Sequence, residues 1–149
     1  MPSLRVGDLA PDFSLPSTQG EINLAQRCER QSVLLVFYPG DDTLVCTKQL
    51  CDYQDHLGLF EGLGVDVLAI NPQSLHSHQR FAAKHSLSFP LLCDEAKHVC
   101  RDYGALGLLG TTKRALVLVG TDLRIRYQRV DLPIFRRSAA ELEEVIKSL

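Results

Sequence analysis

Ser32-Val-Leu-Leu-Val-Phe-Tyr38-Pro39-Gly40-Asp-Asp-Thr43-Leu-Val-Cys46-Thr-Lys-Gln-Leu-Cys51 is the stretch on which the reading of this chain turns. Its first seven residues are apolar and rich in β-branched types, which predicts a buried central strand. Pro39 and Gly40 stop that strand. Beyond Thr43 the apolar period changes: Leu50, Tyr53, Leu57 and Phe60 recur at spacings of three and four, the period of a helix. Gly62 and Gly64 end it. A strand therefore hands over to a helix close to Cys46.

Working outward, Val65 to Ile70 reads as a second buried strand closed by Asn71-Pro72. Residues 74–85 predict a helix over Leu75, His78, Phe81 and Ala82. Phe89 to Leu92 is a short strand, and Ala96 to Tyr103 a short helix. Arg114 to Val119 is a third apolar strand. Leu123 to Val130 alternates Leu123, Ile125 and Tyr127 against Arg124, Arg126 and Gln128, which predicts an antiparallel strand with one wet face. Ser138 caps a last helix, with Glu141 at the capping-box position. Residues 3–16, with Gly7, Pro11 and Pro16, read as irregular and extended, and Thr18 to Gly20 as a turn. Strands alternating with helices predict an α/β protein: a central mixed sheet flanked by helices on both faces, the outline of a thioredoxin-like fold. With 149 residues and no repeat, the whole chain, 1–149, is expected to be one domain.

Composition narrows the partners. Lys and Arg number 16 against 18 Asp and Glu, a net charge of −2, so neither nucleic acid nor an anionic membrane surface is expected to bind. Arg124, Arg126, Arg129, Arg136 and Arg137 gather late in the chain, and a solvated strand face accounts for them. No apolar run reaches the ~18 residues of a membrane span. Met1 to Ala10 carries Arg5 and Asp8 without an apolar core, so the expected address is the cytoplasm. Five cysteines, an odd number, argue against a secreted disulfide framework and point to redox or metal chemistry. His76-x-His78 is the only close histidine pair, and Cys-x-x-Cys spacing is absent, so a metal module is weakly supported.

Redox chemistry fits the local architecture better. A cysteine in the first turn of a helix faces free backbone N–H groups and the positive end of the helix dipole, and both favour thiolate over thiol. When a thiolate attacks a peroxide, one oxygen bonds to sulfur and the other departs with developing negative charge. A hydroxyl, backbone N–H groups and a guanidinium aimed at those oxygens lower the barrier. Thr43 is placed to orient sulfur and peroxide, and Pro39 to shield the sulfur from water.

Pro39, Thr43 and Cys46 match the Pro-x-x-x-Thr-x-x-Cys motif of the peroxiredoxins, and Arg114 opens a strand where that family carries an active-site arginine. The chain closely resembles the peroxiredoxin Q, or bacterioferritin comigratory protein, type over nearly its whole length. Gly7-Asp8 with residues 10–16, Val65 to Asn71, and Phe89 to Gly104 carry the likeness. The resemblance implies a thioredoxin-like fold, reduction of hydrogen peroxide and organic hydroperoxides, and no metal or organic cofactor. It implies recycling by thioredoxin or a similar dithiol reductant, and a monomer lacking the C-terminal extension that carries a distant resolving cysteine. Leu44 and Val45 replace the Pro-Gly common in the family and make the mouth of the site more apolar. Gln49 stands where many members have Glu, and Gly104 to Lys113 is shorter than in many relatives.

Attack on peroxide leaves Cys46 as a sulfenic acid, and a second thiol must condense with it. Cys51 is the candidate, as in one peroxiredoxin Q subtype. Five helical residues rise about 7.5 Å and place the two Cα atoms roughly 8–9 Å apart. A disulfide needs them within about 7 Å, so the first turns of the helix are expected to unwind in each cycle. Cys28, flanked by Arg27, Glu29 and Arg30, reads as a surface residue. Cys93 reads as a buried small hydrophobe, and Cys100 as a core or surface position. The competing reading is a thiol-disulfide oxidoreductase of the same fold, which leaves Pro39 and Thr43 without a purpose.

Overall fold

In a computed structural model describing residues 4–107, 109–131 and 136–149, the apolar run becomes the centre of a seven-stranded mixed sheet. Residues 1–3, within the amino-terminal stretch discussed above, and Leu108, within the shortened 104–113 segment, lie outside the described residues. The elements follow in the order β1 (Ser14–Ser17), β2 (Gly20–Asn23), α1 (Leu24–Arg27), β3 (Ser32–Phe37), α2 (Leu44–Asp55) and α3 (Leu57–Gly62). Then come β4 (Val65–Asn71), α4 (Leu75–His85), β5 (Leu91–Cys93), α5 (His98–Asp102), β6 (Arg114–Val119), β7 (Ile125–Asp131) and α6 (Ala139–Lys147). The sheet order is β2-β1-β5-β4-β3-β6-β7. β3, β4 and β5 run parallel, β6 and β7 extend the sheet antiparallel beside β3, and β1 and β2 form an antiparallel margin on the other side.

Side chains of β3 alternate between two cores, as the period of a strand requires. Val33, Leu35 and Phe37 join Leu24 of α1 and Val99 and Cys100 of α5 on one face. Leu34 and Val36 join Leu50 and Tyr53 of α2, Phe60 of α3, Phe81 of α4 and Leu142 of α6 on the other. Helices cover both faces, and the fold is the thioredoxin-like one expected.

Four details depart from the sequence reading. Residues 14–17 are not irregular: they pair with Gly20–Asn23 as a hairpin, with Leu15 and Ile22 opposed and buried. Pro16 is tolerated because the Thr18 N–H points to Leu91 of β5, which by alternation puts the missing Pro16 donor on that side, where pairing extends no further than Ser17↔Leu92. The single helix expected to run to Gly62 breaks at His56, whose φ of −112° and ψ of 18° lie off the helix. The His56 ring Nδ1 sits 2.8 Å from the Asp52 carbonyl, which also accepts from the His56 N–H at 3.2 Å, and Gly58 follows. Gly64 then turns the chain into β4 at φ +75°, a conformation that suits a residue without a Cβ. Cys28, read as a surface residue, is 1% exposed, because it lies four residues after Leu24 on the face that packs on β3. Arg124, Arg126 and Arg129 do lie on an exposed edge, whereas Arg136 and Arg137 bind Asp52, Asp131 and Glu141.

Candidate active site

The site forms where β3 ends. Tyr38 to Thr43 crosses from the sheet to α2, and Thr43 caps that helix: its Oγ1 accepts from the Cys46 N–H at 3.3 Å and donates to the Gly40 carbonyl at 3.3 Å. Such a cap satisfies one of the free donors of the first turn and contributes on the order of 1 kcal/mol. The Thr47 N–H reaches the Thr43 carbonyl at 2.9 Å and begins the helical ladder. Cys46 is therefore in the first turn, at the positive end of the helix.

Arg114, the first residue of β6, enters the same space from the neighbouring strand. Its Nη2 lies 3.1 Å from the Cys46 Sγ, and its Nη1 donates to Gln49 Oε1. The guanidinium is a charge-assisted donor aimed at the sulfur. Gln49 Nε2 in turn donates to the Tyr53 hydroxyl at 3.1 Å, which donates to the Arg137 carbonyl at 2.7 Å. A chain of buried hydrogen bonds thus links the Cys46 sulfur through Arg114 and α2 to the segment before α6. Burial pushes the Tyr53 hydroxyl far above its ordinary range, so it stays a donor.

Cys46 is 0% exposed, and Arg114 is buried with it. Thr43 and Leu44 are exposed and Pro39 and Val45 half-buried, so the sulfur lies one layer beneath a surface made by the loop. Leu44, at 71% exposure, is a large apolar side chain left in water two residues from the sulfur. The structure thus gathers Pro39, Thr43, Cys46 and Arg114 at one end of the sheet. Cys51 stands apart on α2, half-buried, and among the described residues all five cysteines are free thiols. Burial, and then the charge of Asp55, raise the Cys51 thiol. Burial also pushes Cys28 and Cys93 up to about 11 and Cys100 higher still, which leaves those three protonated and unreactive at neutral pH.

Sequence reasoning missed the support of this loop. Asp41 is buried, and its Oδ1 accepts from the Tyr38 hydroxyl at 2.6 Å. Its Oδ2 accepts from Ser77 Oγ at 2.6 Å and from His78 Nδ1 at 2.7 Å, and its N–H donates to Gln73 Oε1. The next residue, Asp42, is left-handed at φ +62°. Two adjacent aspartates in a loop look solvated, and no local spacing connects Asp41 to a histidine on α4. The apolar pattern did place His78 on the inner face of that helix.

With this geometry established, comparison with known proteins is direct. The model of the AhpC/TSA family matches residues 6–128. The putative peroxiredoxin bcp of Coxiella burnetii is 40% identical over 104 residues, 70% of this chain and 69% of the relative. Peroxiredoxin Bcp of Escherichia coli is 43% identical over 108 residues, 72% of this chain and 69% of the relative. Among solved structures, the reduced 2-Cys peroxiredoxin of Plasmodium vivax superposes with a TM-score of 0.89 at 28% identity, covering 95% of this chain and 80% of that one. A cysteine-to-serine variant of peroxiredoxin 6 from Arenicola marina superposes at a TM-score of 0.91 over 98% of this chain and 73% of that one, and at 21% identity this likeness bears on the fold alone.

Proposed function

Since this chain belongs to the AhpC/TSA family, as a peroxiredoxin of the bacterioferritin comigratory protein type, we propose that its thiol-dependent peroxidase chemistry is carried by Cys46 and acts on hydrogen peroxide and organic hydroperoxides. The observation that carries this is the Arg114 guanidinium 3.1 Å from the Cys46 sulfur, in the first turn of a helix capped by Thr43. The Cys46 thiolate attacks one peroxide oxygen. An S–O bond forms, the O–O bond breaks, and the other oxygen leaves as water or alcohol once it has taken a proton. Arg114 is the donor for the charge that develops on oxygen, joined by the Thr43 hydroxyl when its proton turns from the Gly40 carbonyl to the peroxide, and Pro39 screens the sulfur from bulk water. The half-buried Val45 and exposed Leu44 make the approach apolar, which suits organic hydroperoxides.

The second half of the cycle rests on Cys51. Its thiolate attacks the sulfenic sulfur of Cys46, the S–S bond forms, the S–O bond breaks, and water leaves. A dithiol protein of the thioredoxin type then reduces the disulfide by exchange. The whole chain works as one domain and as a monomer, without metal or organic cofactor. Intact-mass analysis after one equivalent of hydrogen peroxide tests both halves. Wild type should lose two mass units as an intramolecular disulfide. Cys51→Ser should stop at a sulfenic acid trappable by dimedone, and Cys46→Ser should remain unmodified. Oxidation of Cys46→Ser at the wild-type rate overturns the choice of nucleophile, and a disulfide in Cys51→Ser overturns the choice of partner.

A further inference from the structure

The loop that carries Thr43 is held by a side-chain contact between two elements distant in sequence. Asp41 and His78 have no exposed side-chain surface, and Nδ1 of the ring lies 2.7 Å from the carboxylate. Nε2 of the same ring lies 3.0 Å from the Leu92 carbonyl at β5. A carbonyl only accepts, so Nε2 carries a proton. Burial pushes the Asp41 carboxyl up, but hydrogen bonds from His78, Ser77 and Tyr38 and the charge of His78 outweigh it, and the net shift is downward. The ring thus ties the loop to β5 through both of its nitrogens. Burial and the neighbouring Asp41 charge raise the Tyr38 hydroxyl well above its ordinary range, so the third donor is also fixed.

A buried Asp–His contact is a poor general stabiliser, because desolvation offsets most of the attraction; where one is retained, its directional bonds set a geometry. Here that geometry belongs to the loop. Asp41 lies between Gly40, whose carbonyl takes the Thr43 hydroxyl, and the left-handed Asp42. A left-handed residue other than glycine is strained and persists only when its surroundings impose it. The three donors on Asp41, together with Gln73 on its N–H, impose it. We propose that the buried Asp41–His78 pair is a positioning clamp that fixes the loop from Pro39 to Thr43 over Cys46 and so aligns the peroxide with its donors. This rests on the peroxidase reading of Cys46 and adds α4 and the turn before it, Gln73, Ser77 and His78, to the machinery. Asp41 and His78 touch neither sulfur nor peroxide; they act through Thr43 and the backbone around it.

The test compares two reactions of the same sulfur. Reaction with peroxide needs donors aligned on both oxygens, whereas alkylation by iodoacetamide does not use them. Second-order rate constants for both are measured on wild type, His78→Leu and His78→Asn, with each cysteine resolved by peptide mass spectrometry. In His78→Leu the peroxide rate should fall roughly 10- to 100-fold, the effect of an ångström-scale misplacement. Cys46 alkylation should not fall, and Cys28, Cys93 and Cys100 should stay unmodified, which reports an intact fold. His78→Asn keeps a donor near the position of Nδ1 and should recover most of the peroxide rate. Equal peroxide rates in wild type and His78→Leu overturn the clamp, as does a parallel fall in both reactions, or His78→Asn being no better than His78→Leu. If the three buried thiols become reactive in His78→Leu, Tyr38→Phe takes its place: it removes one donor from the same carboxylate and should slow the peroxide step roughly fivefold, the loss of about 1 kcal/mol. An unchanged peroxide rate in Tyr38→Phe then overturns the clamp. A wild-type Cys46 that peroxide does not oxidise overturns the peroxidase reading and the clamp together; a reactive wild type with unaffected variants overturns the clamp alone.

Discussion

Replacing Val45 and Thr47 together by alanine should slow formation of the Cys46–Cys51 disulfide while leaving the preceding peroxide step nearly unchanged. Both thiols lie on α2, five residues apart, and an intact helix holds their Cα atoms roughly 8–9 Å apart, beyond the reach of about 7 Å that a disulfide allows. Resolution therefore requires the first turns to open, with loss of the Thr43 cap, the Thr47-to-Thr43 backbone bond and the Arg114 contact to sulfur. Val45 and Thr47 flank Cys46 and both are half-buried, so each alanine acts mainly on the helix–coil balance. Each substitution favours the helix by about 0.5 kcal/mol. The part-buried methyl groups that are removed return up to half of that. A net 0.5–1 kcal/mol predicts disulfide formation slowed about 2- to 5-fold. Quenched-flow mixing with peroxide, dimedone trapping and mass analysis would give both rate constants from one time course. Disulfide formation as fast in the double variant as in wild type would refute opening of α2 as the route.

Two further outcomes follow from ionisation. Cys51 is raised by burial and by Asp55, so the disulfide step should accelerate with pH up to about tenfold per unit below its pKa, and Asp55→Asn should accelerate it at pH 7, read by the same time course; a pH-independent step would show that Cys51 does not attack as thiolate. Asp41 is held below the ordinary carboxylate range, so its contribution to stability is complete above the unfolded-state pKa of about 3.9 and is lost as the pH falls through the lower folded value. Thermal melts from pH 5 to 2 should therefore fall more steeply for wild type than for Asp41→Asn, and parallel slopes would contradict the assignment.

What the sequence disclosed and what it hid follow physical lines. The runs at residues 32–38, 65–70 and 114–119 are continuous and apolar because those strands are covered on both faces, and such runs are hard to mistake. The hairpin of β1 and β2 has four residues per strand and contains Pro16, which gives alternation too little length to register. Cys28 was misread because its charged neighbours outweighed the Leu24–Cys28 spacing that puts it on the inner face. Cys46, Thr43 and Pro39 were legible because one turn of chain brings them together. Asp41 and His78 were not, because their contact spans 37 residues of separation and is made by tertiary packing. The partnership of Gln49 with Arg114 lay between: the sequence marked Gln49 as standing where relatives have Glu, but only the folded chain names Arg114 as its donor.

The complete enclosure of Cys46 sets who can meet it. In the proposed cycle the peroxide is small and neutral and has only the layer made by Thr43 and Leu44 to pass, whereas a charged peptide disulfide or the face of another protein would need that layer displaced. Reduction by a larger thiol would then follow the opening of α2 that the proposed Cys46–Cys51 disulfide demands. On that reading the closed fold guards the sulfur against premature capping until peroxide has reacted.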